Sequence, residues 1–349
     1  MLCVGSRGTG YIDMATVTIK MLAGKLNLST ATISKALADS HEISPATKQK
    51  VLQLAQELNY VPNAYAGSLR RHKSKTIAVV IPEVADSFFS LALNGIEEVA
   101  LAHGYHTLIY LTHEKLEREK AILKELANGR VDGLLMSVTV ETGTFDHIRE
   151  FNKQLPVVFF DRVCPEIETA QITTNDFECG YLAAEHLIQA GCRKIVLLSV
   201  SNNLSITSER AKGFQKAVLE HQLNGVFCRV VDCNEDAAQN YEIIKAMMSQ
   251  PDRPDGIIAT VEKLTIQIYL ACRDQNINIP RDVKVICFSN QPSALIFDPG
   301  LSTINQPAFE MGRAAARALL KALKNSSLLL ADESVEIPST LIARGSTKM

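Results

Sequence analysis

Two kinds of hydrophobic periodicity and an uneven charge distribution predict the fold class of this chain. It reads as a small all-α helix-turn-helix head followed by an α/β body of two doubly wound parallel-sheet lobes. Residues 18–37 hold two short amphipathic helical patterns joined by a tight turn. From Thr76 onward, continuous apolar strand-like runs alternate with helical stretches, the pattern of parallel sheets covered on both faces. Residues 14–75 carry nine Lys/Arg against three Asp/Glu, a net +6. Residues 1–13 cancel, so the remainder carries −8 of the chain's −2 total. A basic head on an acidic body suits a head that meets polyphosphate; without the helix pattern it would be only a solvated surface.

In the head, Thr18 is an N-cap candidate for a helix over about Ile19–Lys25, with Ile19, Leu22, Ala23 and Leu26 facing inward. Gly24 inside it costs about 1 kcal/mol against Ala, and close helix packing is the expected reason. Asn27 tolerates the left-handed backbone of a sharp turn, which Leu28 plugs. A second helix over Thr30–Leu37, capped by Ser29, turns Ile33 and Leu37 inward. Its outward face keeps Thr30, Ala31, Ser34 and Lys35: narrow, polar and basic, as a helix in a DNA groove must be. Ser44-Pro45 opens a third helix, with Val51, Leu54, Ala55 and Leu58 as its core stripe. Pro62 stops it. Asn63 then caps a short segment ending in Arg70, Arg71, His72, Lys73 and Lys75. That segment is too short and too interrupted by Gly67 to stand alone; a plain interdomain linker is the alternative.

The start Thr18-Ile19-Lys20 is followed by Ser29-x-x-Thr32-Ile33-Ser34-Lys35, then Ile43-Ser44-Pro45-x-Thr47-Lys48. Asn59-Tyr60-x-Pro62-Asn63-Ala64-x-Ala66-x-Ser68-Leu69 completes the series. In this order and spacing the motifs resemble the lactose-repressor (LacI/GalR) family of transcription regulators, and the likeness runs from about Val17 through nearly the whole chain. It implies that Thr30, Ala31 and Lys35 read base edges, with Lys35 donating to guanine and Ala31 touching a thymine methyl. It implies that Thr18, Ser29, Thr32, Ser34 and Asn63 meet the DNA backbone. Residues 63–75 become a hinge helix that folds on DNA, with Leu69, beside Ala66, wedged into the minor groove. The chain departs from the family's common residues at Met21 (acidic), Asn27 (Gly) and Lys35 (Arg), positions that bear on operator sequence.

In the body, strand-like runs lie at 77–81, 107–111, 133–138 and 157–160. A second series lies at 195–200, 227–231, 256–260 and 283–288. Helical stretches such as 89–103, 117–127, 179–190 and 209–221 fall between them. Two series mean two lobes: an N-lobe of about 76–172 and 305–332, and a C-lobe of about 173–304 and 333–349. The resemblance identifies this pair as periplasmic-binding-protein-like. Ligands in such folds bind at the carboxyl ends of strands, here the cleft between lobes. The candidates there are Asp86, Phe88, Phe89, Asp161, Arg162, Arg210, Glu262 and Ser289, with Gln306 on the last crossover between lobes. Aromatic faces with carboxylates suit a sugar ring, although Phe88 and Phe89 are equally apt as core, and Asp161 with Arg162 as a structural ion pair. The resemblance implies effector contacts for Asp161, Arg162 and Arg210. It departs where Val261-Glu262 replaces the common Asn-Asp and where Ser289 replaces the common Asp. Residues 343–347 resemble the family's closing strand.

No Walker motif, dinucleotide fingerprint, Gly-x-Ser-x-Gly or His-Glu-x-x-His is present, so nothing nominates an enzyme. No apolar run reaches the roughly 18 residues of a membrane span. Of the eight cysteines, none forms a Cys-x-x-Cys pair and no Cys/His cluster has zinc spacing. Buried reduced thiols in a cytosolic protein are expected, with no metal and no cofactor. Residues 1–13 read as an extension before a start at Met14. The absence of a Leu heptad after Thr347 points to a homodimer, which a palindromic operator requires. The expectation is a cytoplasmic DNA-binding regulator, most simply a repressor, controlled by a small carbohydrate-like effector. Its rival is a solute receptor of the same body fold without DNA function.

Overall fold

The computed structural model describes residues 17–60, 74–201, 203–221, 225–325 and 327–348. The chain divides into two units, residues 1–72 and 73–349, which are taken separately. The extension at 1–13, Met14, and the hinge candidates Asn63, Ala66 and Leu69 lie outside the described residues.

The head is three helices: α1 (Ile19–Leu26), α2 (Thr30–Leu37) and α3 (Pro45–Glu57). Each starts at a hydroxyl cap. Thr18, Ser29 and Ser44 accept from the backbone N–H groups of Met21, Thr32 and Thr47 at 3.4, 3.0 and 3.3 Å, satisfying donors that a helix start leaves free. Asn27 takes φ +54°, the left-handed turn its side chain tolerates, and the Leu28 N–H returns to Ala23 O at 3.0 Å. Leu22, Ala23, Ile33, Ala36, Val51 and Ala55 form the buried core, with Leu28 and Leu37 packed on its edge. Gly24 does not serve close packing: it is exposed, and a methyl group there would meet nothing within 4 Å.

The body holds two six-stranded sheets. The N-lobe runs β1 (Thr76–Ile81), α4 (Ser87–Ala102), β2 (His106–Leu111), α5 (Leu116–Leu126), β3 (Gly133–Met136), α6 (Asp146–Asn152), β4 (Val157–Phe160) and β5 (Gln171–Thr173). The C-lobe runs α7 (Asp176–Gln189), β6 (Lys194–Ser199), α8 (Ser205–Glu220), β7 (Phe227–Asp232), α9 (Ala237–Met248), β8 (Gly256–Ala259), α10 (Leu264–Asp274), β9 (Lys284–Phe288) and β10 (Ser302–Asn305). The chain then returns as α11 (Ala308–Lys324), β11 (Val335–Glu336) and β12 (Thr340–Ile342). Strand order is β11-β5-β4-β3-β1-β2 in one sheet and β12-β10-β9-β8-β6-β7 in the other. Only the β10–β12 pair is antiparallel among the described pairings. Alternate residues of one strand enter opposite cores, Ile77, Val79 and Ile81 on one face and Ala78 and Val80 on the other. That burial on both faces is why the strands read as unbroken apolar runs.

The C-terminal limits differ from the expected ones. Val335 and Glu336 pair with Ile172 and Thr173 in the N-lobe sheet, so the third crossing falls at 337–339, not before 333. The closing strand is Thr340–Ile342; residues 344–347 form a turn. In it, the Ser346 hydroxyl accepts from Ser302 N at 2.7 Å and donates to Val285 O at 2.6 Å. Of the seven described cysteines, six are buried and Cys228 is exposed, so the expectation of buried thiols fails at that edge-strand position. Among the described residues no helix is long and apolar enough to cross a membrane.

Each lobe is cemented by a helix pair that meets backbone to backbone, α4 with α11 and α7 with α8. A side chain at Gly95 would reach 2.1 Å from Phe309 O, and one at Gly312 2.0 Å from Ala92 O. At Gly180 and Gly213 the obstacles are Arg210 O at 2.1 Å and Phe177 O at 1.9 Å. Gly213→Ala is therefore expected to destabilise by about 3 kcal/mol or more through overpacking against rigid backbone. Gly24→Ala should stabilise the head by about 0.5–1 kcal/mol through helix propensity. Urea denaturation of the two variants checks both signs.

Candidate functional site

In the head, α2 presents Thr30 and Lys35 as exposed and Ala31, Thr32 and Ser34 as half-buried. No acidic residue stands in the first turn of α1 or α2, so both helix starts keep a positive field. Ser29 and Thr32 hold each other, hydroxyl to hydroxyl, at 2.8 Å. Lys35 is engaged with Glu42 in an ion pair exposed on both sides, a weak tether that a stronger acceptor can displace. Nothing in the sequence reading pointed to Glu42.

In the body, the carboxyl ends of β1, β4, β8 and β9 converge, and all nine cleft candidates line one cavity with them. The first group comes from the turn into α4. Asp86 is the N-cap, accepting from Phe88 N at 2.9 Å. Burial, then the Glu262 carboxylate, raise its pKa above the usual carboxylate range. Phe88 and Phe89 line the cavity and also belong to the N-lobe core. They meet edge to face at 5.3 Å, and Phe89 meets Phe160 the same way at 6.3 Å.

The second group ends β4. Asp161 sits at φ +62°, a conformation uncommon outside glycine and one met at functional positions. Its burial pushes the carboxyl pKa up to about 7, against the pull of Arg162 and Arg210. Asp161 Oδ2 stands 3.8 Å from Arg162 Nε, beyond hydrogen-bond reach. Arg162 is tied instead to Glu114, Nη1 donating at 2.8 and 2.9 Å. Glu114 carried no sequence signal; the pair spans 48 residues.

Arg210 comes from the second turn of α8, which begins at Ser205, earlier than expected. Ile206 is its other contribution to the cavity. Arg210 Nε donates to Asp176 at 2.7 Å, Nη1 to Thr260 O at 2.5 Å, and the guanidinium lies 4.1 Å over the Phe288 ring. Both arginines are thus held from behind, while Arg162 Nε, Arg210 Nη2 and Gln306 Nε2 remain buried donors without partners. Thr260, Val261 and Phe288 also line the cavity; they lie at strand carboxyl ends, a signal that was available.

Glu262 bridges the lobes. Its carboxylate accepts from Ser87 N at 3.1 Å and from the Ser87 hydroxyl on the N-lobe side. On the C-lobe side it accepts from Ser289 Oγ at 2.7 Å and Asn290 N at 3.2 Å. Gln306 is fixed through its backbone, its N–H donating to Asn290 Oδ1 at 3.2 Å and its carbonyl accepting from Asn290 Nδ2 at 2.5 Å. The cavity itself is small, about 30 Å³, room for about one water. Ligand pockets usually run to roughly 300–1,000 Å³, so the cleft is closed on its own side chains. Among the described residues no cluster of His, Cys, Asp and Glu is placed to hold a metal ion.

Residues 18–63 match the model of bacterial regulatory proteins, lacI family, and residues 184–347 match a periplasmic binding protein-like domain. Over 311 residues the chain is 30% identical to the HTH-type transcriptional repressor PurR of Photobacterium profundum, covering 89% of this chain and 93% of that one. The chain belongs to the LacI family. A LacI family transcriptional regulator from Enterococcus faecium, solved with bound ribose, is 26% identical; the match covers 78% of this chain and 98% of that one, with a TM-score of 0.68. The Lac repressor dimer bound to operator shares the fold at 20% identity and a TM-score of 0.82, covering 95% and 99%. As a LacI-family member the protein is a DNA-binding transcriptional repressor with a small-molecule-binding body, and not an enzyme. The receptor reading without DNA function is set aside by the head.

The raised Asp161 pKa fixes a pH dependence. Between about pH 4 and 7 the folded chain keeps the proton that the unfolded chain has released. The folded state binds more protons there, so this group's contribution to stability falls as pH rises through that window. Asp161→Asn is expected to remove that part of the slope, on the order of a few kcal/mol. Urea midpoints at pH 5 and pH 7.5 check it; an unchanged slope would show that Asp161 titrates normally.

Proposed function

We propose that this LacI-family repressor works in the cytoplasm as a homodimer on a palindromic operator. A carbohydrate-like effector in the interlobe cleft sets its affinity. The observation that carries the effector reading is the cleft's mixture of surfaces. Arg162, Arg210 and Gln306, each with a buried N–H donor that has no hydrogen-bond partner, line the same cavity as Asp86, Asp161 and the Phe88, Phe89 and Phe288 rings. A sugar offers hydroxyls that both donate and accept, and C–H faces for aromatic rings. The ribose-bound relative supports the same reading.

On DNA, Thr30, Ala31 and Lys35 read bases, and Thr18, Ser29, Thr32, Ser34 and Asn63 hold the backbone. Leu69 and Ala66 belong to the hinge in the minor groove. The dimeric form follows from the twofold operator, which needs two heads, and is supported by the dimeric Lac repressor of the same fold. Ligand in the cleft shifts lobe orientation and through it operator affinity, a coupling of about 1–3 kcal/mol or some 5–150-fold.

Fluorescence anisotropy on a palindromic duplex selected from a randomised library tests the head. Lys35→Ala should weaken binding by about 10–100-fold, the worth of one base contact. Glu42→Gln should strengthen it a few-fold at low salt by releasing Lys35 and removing a negative charge. Purely non-specific affinity, indifferent to Lys35→Ala, would defeat the regulator reading.

For the effector, thermal shifts of the full chain with pentoses, hexoses and disaccharides are compared with purine bases. A sugar at 100-fold over its Kd should add about 2.7 kcal/mol. Gln306→Ala should weaken it about tenfold, one hydrogen bond's worth. Gln306 is the better probe because Arg210→Ala would also strand the buried Asp176. Stabilisation by purine bases alone would replace the carbohydrate reading.

A further inference from the structure

The cleft brings five charged side chains to one cavity, and their balance bears on which sugars can enter. Arg162 and Arg210 are its two cations, yet each is neutralised from behind by a buried carboxylate, Glu114 and Asp176. The other charged residues of the lining are Asp86, Asp161 and Glu262. Lys263, next to Glu262 in the chain, is paired with Glu235. A helix start that would attract an anion is present at α4, but the protein's own carboxylates already fill it. Asp86 accepts from Phe88 N, and Glu262 accepts from Ser87 N.

We propose that the effector of this site is an uncharged polyhydroxyl compound, and that the cleft selects against phosphorylated and acidic sugars. The inference rests on the carbohydrate reading above and narrows it. The three unpartnered donors, Arg162 Nε, Arg210 Nη2 and Gln306 Nε2, require oxygen acceptors. Asp86 and Asp161 keep carboxyl oxygens that can accept from a ligand, whereas Glu262 already accepts four hydrogen bonds. A hydroxyl meets both needs with one oxygen, whereas a phosphate dianion or a carboxylate supplies acceptors only. The anion would also enter a cavity whose arginine charge is already spent on Glu114 and Asp176, with acidic side chains, Glu262 among them, on the remaining wall. An unneutralised charge in such a site is strongly disfavoured.

Isothermal titration of the full chain tests this with D-ribose, D-glucose, maltose and cellobiose as neutral probes. Ribose 5-phosphate, glucose 6-phosphate and glucuronate are the anionic probes. The expected result is a neutral sugar that binds, with its anionic counterpart weaker by about tenfold or more. Glu262→Gln removes one facing carboxylate while keeping a side chain that can still accept, and should narrow that ratio by about tenfold. An anionic probe binding as tightly as its parent, or more tightly, overturns the proposal while leaving the carbohydrate reading standing. A ratio unmoved by Glu262→Gln overturns its electrostatic basis. Binding by no probe of either class defeats the carbohydrate reading and this inference with it.

Discussion

At Gly180 the carbonyl of Arg210 stands where a side chain would begin, and at Gly213 the carbonyl of Phe177 does the same. The contact between α7 and α8 is therefore backbone on backbone, with no side chain as cushion. Asp176 lies one turn before Gly180, and Arg210 is the residue whose carbonyl fills the gap. The contact that closes the C-lobe thus also brings the Asp176 carboxylate to the Arg210 guanidinium. Arg210 in turn holds Thr260 O at the end of β8 and covers the Phe288 ring at the end of β9. Half of the cleft is positioned by two glycines that do not line it. In the N-lobe, Gly95 and Gly312 make the matching contact between α4 and α11, and α4 is capped by Asp86.

The cleft's electrostatics follow from that rigidity. An arginine fixed by a buried carboxylate cannot swing to meet a ligand, and it offers only the N–H groups its anchor leaves over. The arrangement converts two cations into directional, nearly charge-neutral donors. Burial then acts on the carboxylates that remain: Asp161, without a hydrogen-bonded cation, is pushed toward neutrality. Desolvation, more than charge attraction, sets the character of this site.

The fold was legible in the sequence wherever a local rule decides the outcome. The hydroxyl caps Ser29 and Ser44, the left-handed Asn27 and the two-faced apolar strands each follow from their own neighbourhood. The cleft residues were legible because strand carboxyl ends converge in doubly wound sheets, so Asp161, Glu262 and Ser289 could be placed without coordinates. Pairing across long separations was not. Glu114 and Asp176 look like ordinary surface acids until Arg162 and Arg210 are brought to them. The two-residue strand β11 is too short to carry periodicity, so its membership of the N-lobe sheet was missed. Gly24 was read as a packing residue because a helical glycine usually needs a reason; here its cost is simply borne.

Glu262 ties these threads to regulation. It accepts two hydrogen bonds from each lobe, and hydrogen bonds to charged groups are each worth about 1.5–3 kcal/mol. Under the proposed effector reading, a ligand in the cleft lies beside these donors and can compete with the carboxylate for them. The change in interlobe energy from trading one such bond is already as large as the about 1–3 kcal/mol typical of coupling between sites. On the proposed coupling, one carboxylate shared between lobes is enough to change the balance between them without a large rearrangement of either core. The Glu262 side chain reaches Ser87 across the cleft while keeping Ser289 and Asn290.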